Sequence, residues 1–103
     1  MSNIVKCGLV QATNVLNPNK YSLKEVKKAM MDKHIKFAED AGKKGVKILC
    51  FQEIFYGPYF CCEQDIRWFS TTEKVPGPTT DLFSKIAKKY KMVMVLPVYE
   101  QEF

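Results

Sequence analysis

Glu53 directly follows the apolar run Ile48-Leu49-Cys50-Phe51-Gln52 and precedes Ile54 and Phe55. A carboxylate held between a buried strand and apolar residues loses part of its hydration. That loss raises its pKa toward the range useful to a general base. A capping or salt-bridged glutamate is the plainer use of the same position. Cys61 and Cys62 stand a short way downstream, close enough to bring a thiol near that base. Their adjacency is not the Cys-x-x-Cys spacing of a zinc or redox site, and an unactivated thiol is a poor nucleophile. Both are read as packing or loop residues. Tyr56, Tyr59 and Phe60 are candidates to wall a small-molecule pocket beside Glu53, or to pin down the loop that carries them. Glu100, after a later apolar run, is either a supporting carboxylate for Glu53 or half of a surface salt bridge. His34 is the single histidine, which excludes a dyad or metal centre built on several. It is read as a hydrogen-bonded core residue, and no metal or cofactor is expected.

These groups need a scaffold, and the hydrophobic pattern supplies one. Ile4 to Val10 and Val46 to Gln52 read as buried strands, being short, nearly continuous apolar runs rich in β-branched residues. Between them, after a loop over Asn14 to Asn19, Ser22 and Glu25 form the signature of a capping box. Leu23, Val26, Met30, His34, Phe37, Ala38 and Ala41 then come in steps of three and four, one face of a helix that Gly42 is expected to end. Phe55 to Gly77 lacks a period and holds Gly57-Pro58 and Pro76-Gly77-Pro78, with a short helix expected over Gln64 to Phe69. Pro78-Thr79-Thr80-Asp81 opens a second helix with Leu82, Phe83, Ile86, Ala87 and Tyr90 inward, and Asp81 and Lys88, Lys89 and Lys91 suit its dipole. Met92 to Tyr99 is a third strand. Met30, Met31, Met92 and Met94 read as core filler.

Strand, helix, strand, long loop, helix, strand implies an α/β fold with a parallel sheet and one-sided helices. In such sheets functional groups gather where strands end, and Glu53 is at such an end. With 103 residues the chain is one domain, 1–103, and its last strand runs almost to Phe103, so the fold reads as incomplete.

Composition narrows the class further. Hydrophobic residues make up 47% and charged residues 26%, the balance of an ordinary globular chain and not of a disordered one. The net charge of +5 raises a nucleic-acid or membrane reading. Lysines occur as the pairs Lys27-Lys28, Lys43-Lys44 and Lys88-Lys89, each on the polar side or at the end of an expected helix, and Arg67 is the only arginine. Solvated helix faces explain them better than a nucleic-acid stripe. No run is long enough to span a membrane, and the opening residues, without a charged stretch followed by a long apolar one, lead to the expectation of no secretory signal. With Cys7 and Cys50 inside apolar runs, a reducing, cytoplasmic location is expected.

The stretch LCFQEIFYGPYFC, Leu49 to Cys61, resembles the first catalytic segment of the nitrilase superfamily of carbon–nitrogen hydrolases. It is nearest the branch of β-ureidopropionases and N-carbamoyl amidohydrolases. Gly8-Leu9-Val10-Gln11 resembles that family's opening strand, and Ala41-Gly42-Lys43-Lys44-Gly45-Val46 its first helix-to-strand turn. Pro76-Gly77-Pro78-Thr79-Thr80 resembles the start of its second helix, and Met92 to Glu100 its third strand. The resemblance implies the N-terminal part of an α-β-β-α sandwich and a homo-oligomeric full-length protein. It also implies hydrolysis of amide or N-carbamoyl compounds by a glutamate, a lysine and a cysteine. Of the three, only the glutamate transfers to this sequence, as Glu53, so the chain alone is expected to be inactive. The competing reading is a non-catalytic α/β module that binds a small ligand or a partner. A nucleotide-binding half-domain is disfavoured, because Gln11-Ala12-Thr13-Asn14 stands where a glycine-rich turn is required.

Overall fold

A computed structural model of the chain describes residues 3–59 and 63–102. Its elements run β1 (Cys7–Leu9), α1 (Leu23–Lys43), β2 (Ile48–Cys50), a 3-10 helix (Ile66–Thr71), α2 (Pro78–Tyr90) and β3 (Val93–Val95). The strands form one parallel sheet in the order β1-β2-β3. Register aligns Cys7, Ile48 and Val93 in one row, Gly8, Leu49 and Met94 in the next, and Leu9, Cys50 and Val95 in the third. Because side chains alternate along a strand, only the middle row faces the helices.

Both helices lie on that side. Ala38 and Ala41 of α1, Leu49 and Phe51 at β2, and Phe83 and Ile86 of α2 belong to one buried cluster, which Ile54, Phe55 and Tyr56 extend. Rings supply much of its contact: Phe51, Phe55 and Phe83 meet at centroid distances of 4.8–5.6 Å, two of the three contacts edge-to-face and the Phe51–Phe55 pair tilted. His34 enters the same group, 4.9 Å from Phe51 and 5.0 Å from Phe55.

Helix α1 begins as its sequence dictates. Ser22 Oγ accepts from the Glu25 N–H at 3.1 Å, and Glu25 Oε2 accepts from the Ser22 N–H at 3.0 Å, closing the capping box. Its end differs from expectation. Gly42 lies within the helix, which runs on to Lys43 and is capped at Lys44. The left-handed turn falls at Gly45, φ +79°. Gly42 has a packing role: a Cβ there would sit 2.3 Å from the Tyr90 ring, so its absence lets α2 close against α1. Tyr90 Oη also donates to Glu39, and Lys89 pairs with the same carboxylate at 3.2 Å. The Tyr90 hydroxyl is the main reason that the Glu39 carboxyl titrates below its usual range.

The strands are shorter than the apolar runs that announce them. Ile4 to Val10 reads as a buried strand, yet only Cys7–Leu9 forms ladder, and Ile4, Val5 and Leu9 are exposed. The physical reason is one-sided cover. Among the described residues, both helices pack on the Gly8–Leu49–Met94 side and neither covers the other.

Candidate active site

After Cys50 the main-chain ladder ends, and three devices hold the chain around Glu53. Val10 N–H still donates to Cys50 O at 2.9 Å, and Phe51 N–H to Val95 O at 3.2 Å. Gln52 then replaces backbone with side chain: its Nε2 donates to Ala12 O at 2.9 Å and its Oε1 accepts from Ala12 N–H. Beyond Glu53 the chain turns through Ile54 at φ +49°. A β-branched residue with positive φ is strained, at a cost of about 1–3 kcal/mol, and such positions concentrate at functional sites. Burial of Ile54, Phe55 and Tyr56 holds the turn in place.

Glu53 is thus fixed at the carboxyl end of the central strand, where the sequence places it. Its carboxylate is exposed, not partly desolvated, because the turn sends the next three residues into the core. Among the described residues it makes no ion pair and no side-chain hydrogen bond. It does not line any of the three concavities described for the chain.

The aromatic candidates separate. Tyr56 is buried and pins the loop: Oη accepts from Tyr99 N–H at 2.7 Å and donates to Thr71 O at 3.1 Å. Burial is the leading cause that pushes its hydroxyl above the ordinary tyrosine range. Tyr59 is half-exposed and lines an open hollow of about 360 Å³ with Asn14, Pro18, Pro58, Arg67 and Trp68. Phe60, with Cys61 and Cys62, lies outside the described residues. Glu100 is exposed, and its backbone position forms an isolated parallel bridge with Glu73. Among the described residues its side chain has no ion pair.

Sequence reasoning missed Glu73. It is buried, pairs with Lys27 Nζ at 2.7 Å and accepts from Thr79 N–H at 3.3 Å in the first turn of α2. Its backbone accepts from Gln101 N–H at 2.7 Å and donates to Tyr99 O at 3.0 Å. A single glutamate in an aperiodic segment carries no burial signal; its place just before Pro76-Gly77-Pro78, at a helix start, was the available hint. Lys27 is corrected with it. Read as part of a polar helix face, it turns inward onto Glu73 and lies 4.6 Å from the Tyr56 ring centroid.

His34 is a core residue. Its Nδ1 lies 2.8 Å from Met30 O. A carbonyl only accepts, so Nδ1 carries the proton and Nε2 is bare. Burial is the chief cause that lowers its pKa. Among the described residues no three His, Cys, Asp or Glu side chains are placed to hold a metal ion, and no helix is long and apolar enough to cross a membrane.

The chain is 34% identical over 99 residues to a β-ureidopropionase of Arabidopsis thaliana, covering 96% of this chain and 24% of that protein. It is 30% identical over 82 residues to an N-carbamoylputrescine amidase of Oryza sativa subsp. japonica, covering 79% and 27%. A nitrilase of Paraburkholderia phymatum matches at 34% over 74 residues, covering 62% and 22%. The chain therefore spans about a quarter of the length of these relatives. The sequence model of carbon–nitrogen hydrolases matches residues 6–102, from before β1 to beyond Glu100. With that match over nearly its whole length, the chain belongs to the carbon–nitrogen hydrolase family.

Proposed function

We propose that this chain is the base-bearing, N-terminal part of a hydrolase of N-carbamoyl compounds, with Glu53 as the general base. The single observation that carries this reading is the position of Glu53: on the end of the central parallel strand, between the Gln52 clamp and the strained Ile54 turn. Two of the relatives, named for a ureidopropionate and for N-carbamoylputrescine, support the substrate class. In the chemistry that the family resemblance implies, Glu53 takes the proton of a cysteine thiol. The thiolate attacks the ureido carbon, and a lysine stabilises the oxyanion that forms. Ammonia leaves, and water hydrolyses the thioester. The lysine and the cysteine match nothing in this chain, so 1–103 alone is inactive on this reading.

The exposure of Glu53 fits that division of labour, since a base whose nucleophile lies on another segment has to face that segment. The test is to assay ammonia release from N-carbamoyl-β-alanine by residues 1–103 and by a chimera. In the chimera, residues 6–102 replace the matching segment of the Arabidopsis β-ureidopropionase. Turnover by the chimera, none by the short chain, and loss in the Glu53→Gln chimera are the expected results. A folded chimera that turns over equally well with Glu53→Gln overturns the assignment. A second reading, a non-catalytic binding module, has the Tyr59–Trp68 hollow in its favour, which lies apart from Glu53. Ligand retention by 1–103 that is unaffected by Glu53→Gln and abolished by Trp68→Ala would favour it.

A further inference from the structure

Glu53 has no side-chain partner of its own among the described residues, so its placement comes from the backbone on either side. On the far side is the Ile54 turn. On the near side is Gln52, whose amide meets Ala12 across 40 positions of sequence. A primary amide presents an N–H and a C=O together, as a peptide group does. The main-chain ladder between the first two strands ends at the Val10–Cys50 bond, and the Gln52 side chain supplies the next rung. The chain after β1 therefore stays registered to the chain after β2, although the backbone of β2 is already leaving the sheet. With Phe51 N–H held by Val95 O, the base is approached through a segment tied to both neighbouring strands.

We infer that Gln52 is a positioning residue for Glu53: its two-point clamp on Ala12 sets the direction in which the base leaves the sheet. The inference rests on the reading of Glu53 as base. Few side chains can do this work. Asparagine is one methylene shorter, an ionised glutamate has no proton to donate to Ala12 O, and methionine has the length but neither bond.

Gln52→Met keeps the length of the side chain and removes both hydrogen bonds. In the 103-residue chain it raises hydrogen exchange at the Ala12 amide by about tenfold or more and leaves the Val10 amide, bonded to Cys50 O, protected. In the chimera it lowers kcat by about ten- to a hundredfold, the effect of a slightly misplaced catalytic group. KM stays within about twofold, because substrate contacts are untouched. Parent-like kcat in Gln52→Met, or unchanged exchange at Ala12, overturns the inference. So does a loss of kcat matched by loss of protection at Val10, which marks general unfolding. Glu53→Gln separates the two layers. If that variant keeps turnover, the base assignment has failed. If it is inactive while Gln52→Met is fully active, the base stands and the clamp has failed.

Discussion

On one face of the sheet Leu49 is 2% exposed, flanked by Gly8 and Met94 and covered by two helices. On the other, Leu9 is 87% and Val93 61% exposed, beside Ile48, Val95 and the partly exposed Cys50. Both faces are apolar, so composition does not distinguish them. What differs is the partner: each helix has one apolar stripe, and both stripes are spent on the same side. Burial is a property of the pair of surfaces that meet, and a strand sequence reports only one of them.

The covered face is where substitution has its largest expected effect. Phe83 is fully buried and touches both Phe51 and Phe55. Phe83→Ala removes a ring from the centre of the cluster and is expected to cost about 3–5 kcal/mol, read as a shift in the denaturation midpoint. A loss below about 1 kcal/mol would mean that the helix side is no better packed than the bare one.

The same asymmetry explains how much could be read in advance. Strand and helix order was legible, because the capping box at Ser22 and the spacing from Val26 to Ala41 depend on local chemistry. The position of Glu53 was legible for a similar reason, as the first residue after an apolar run. Strand length was not, since Ile4 and Val5 are as apolar as Leu49 and have no cover. Nor were Glu73 and Lys27, whose pairing joins positions far apart in sequence. Gly42 misled because a glycine late in a helix reads as its terminator, whereas here it makes room for a ring from the other helix.

At the margin of the core, Tyr56→Phe keeps the ring and deletes the hydroxyl that serves Tyr99 N–H and Thr71 O. Removing those two bonds from a buried hydroxyl's partners is expected to cost about 1–3 kcal/mol. Faster exchange at the Tyr99 amide would locate the loss. An unchanged denaturation midpoint would show that packing alone pins the loop after Glu53.

His34 tests the covered face by pH. Its native pKa lies below 6.5, chiefly because the buried ring cannot hold a charge cheaply. The folded state therefore binds fewer protons than the unfolded state in the window from the native pKa up to 6.5. Stability is full above that window and is lost as pH falls through it. Thermal melting between acid and neutral pH is expected to show this trend, and His34→Gln to flatten it. A slope unaltered in His34→Gln would assign the trend to other groups.

The bare face carries the smallest expected effect on stability and the clearest one on behaviour. Leu9 and Val93 lie on its two outer strands, in different rows, and both stay largely in water when the chain folds. Replacing each with threonine keeps a side chain suited to a strand and removes little burial, so the unfolding free energy should change by less than about 0.5 kcal/mol. An apolar patch of this kind favours contact between copies of the chain when nothing else covers it. Size-exclusion chromatography of residues 1–103 over a range of concentrations is therefore expected to show self-association. The doubly substituted chain should elute closer to a monomer. If Leu9→Thr with Val93→Thr instead destabilises the chain as strongly as Phe83→Ala, the face is covered within the folded chain and the contrast between the two sides disappears. If the parent chain is already monomeric at every concentration, exposed apolar area at this sheet does not drive association.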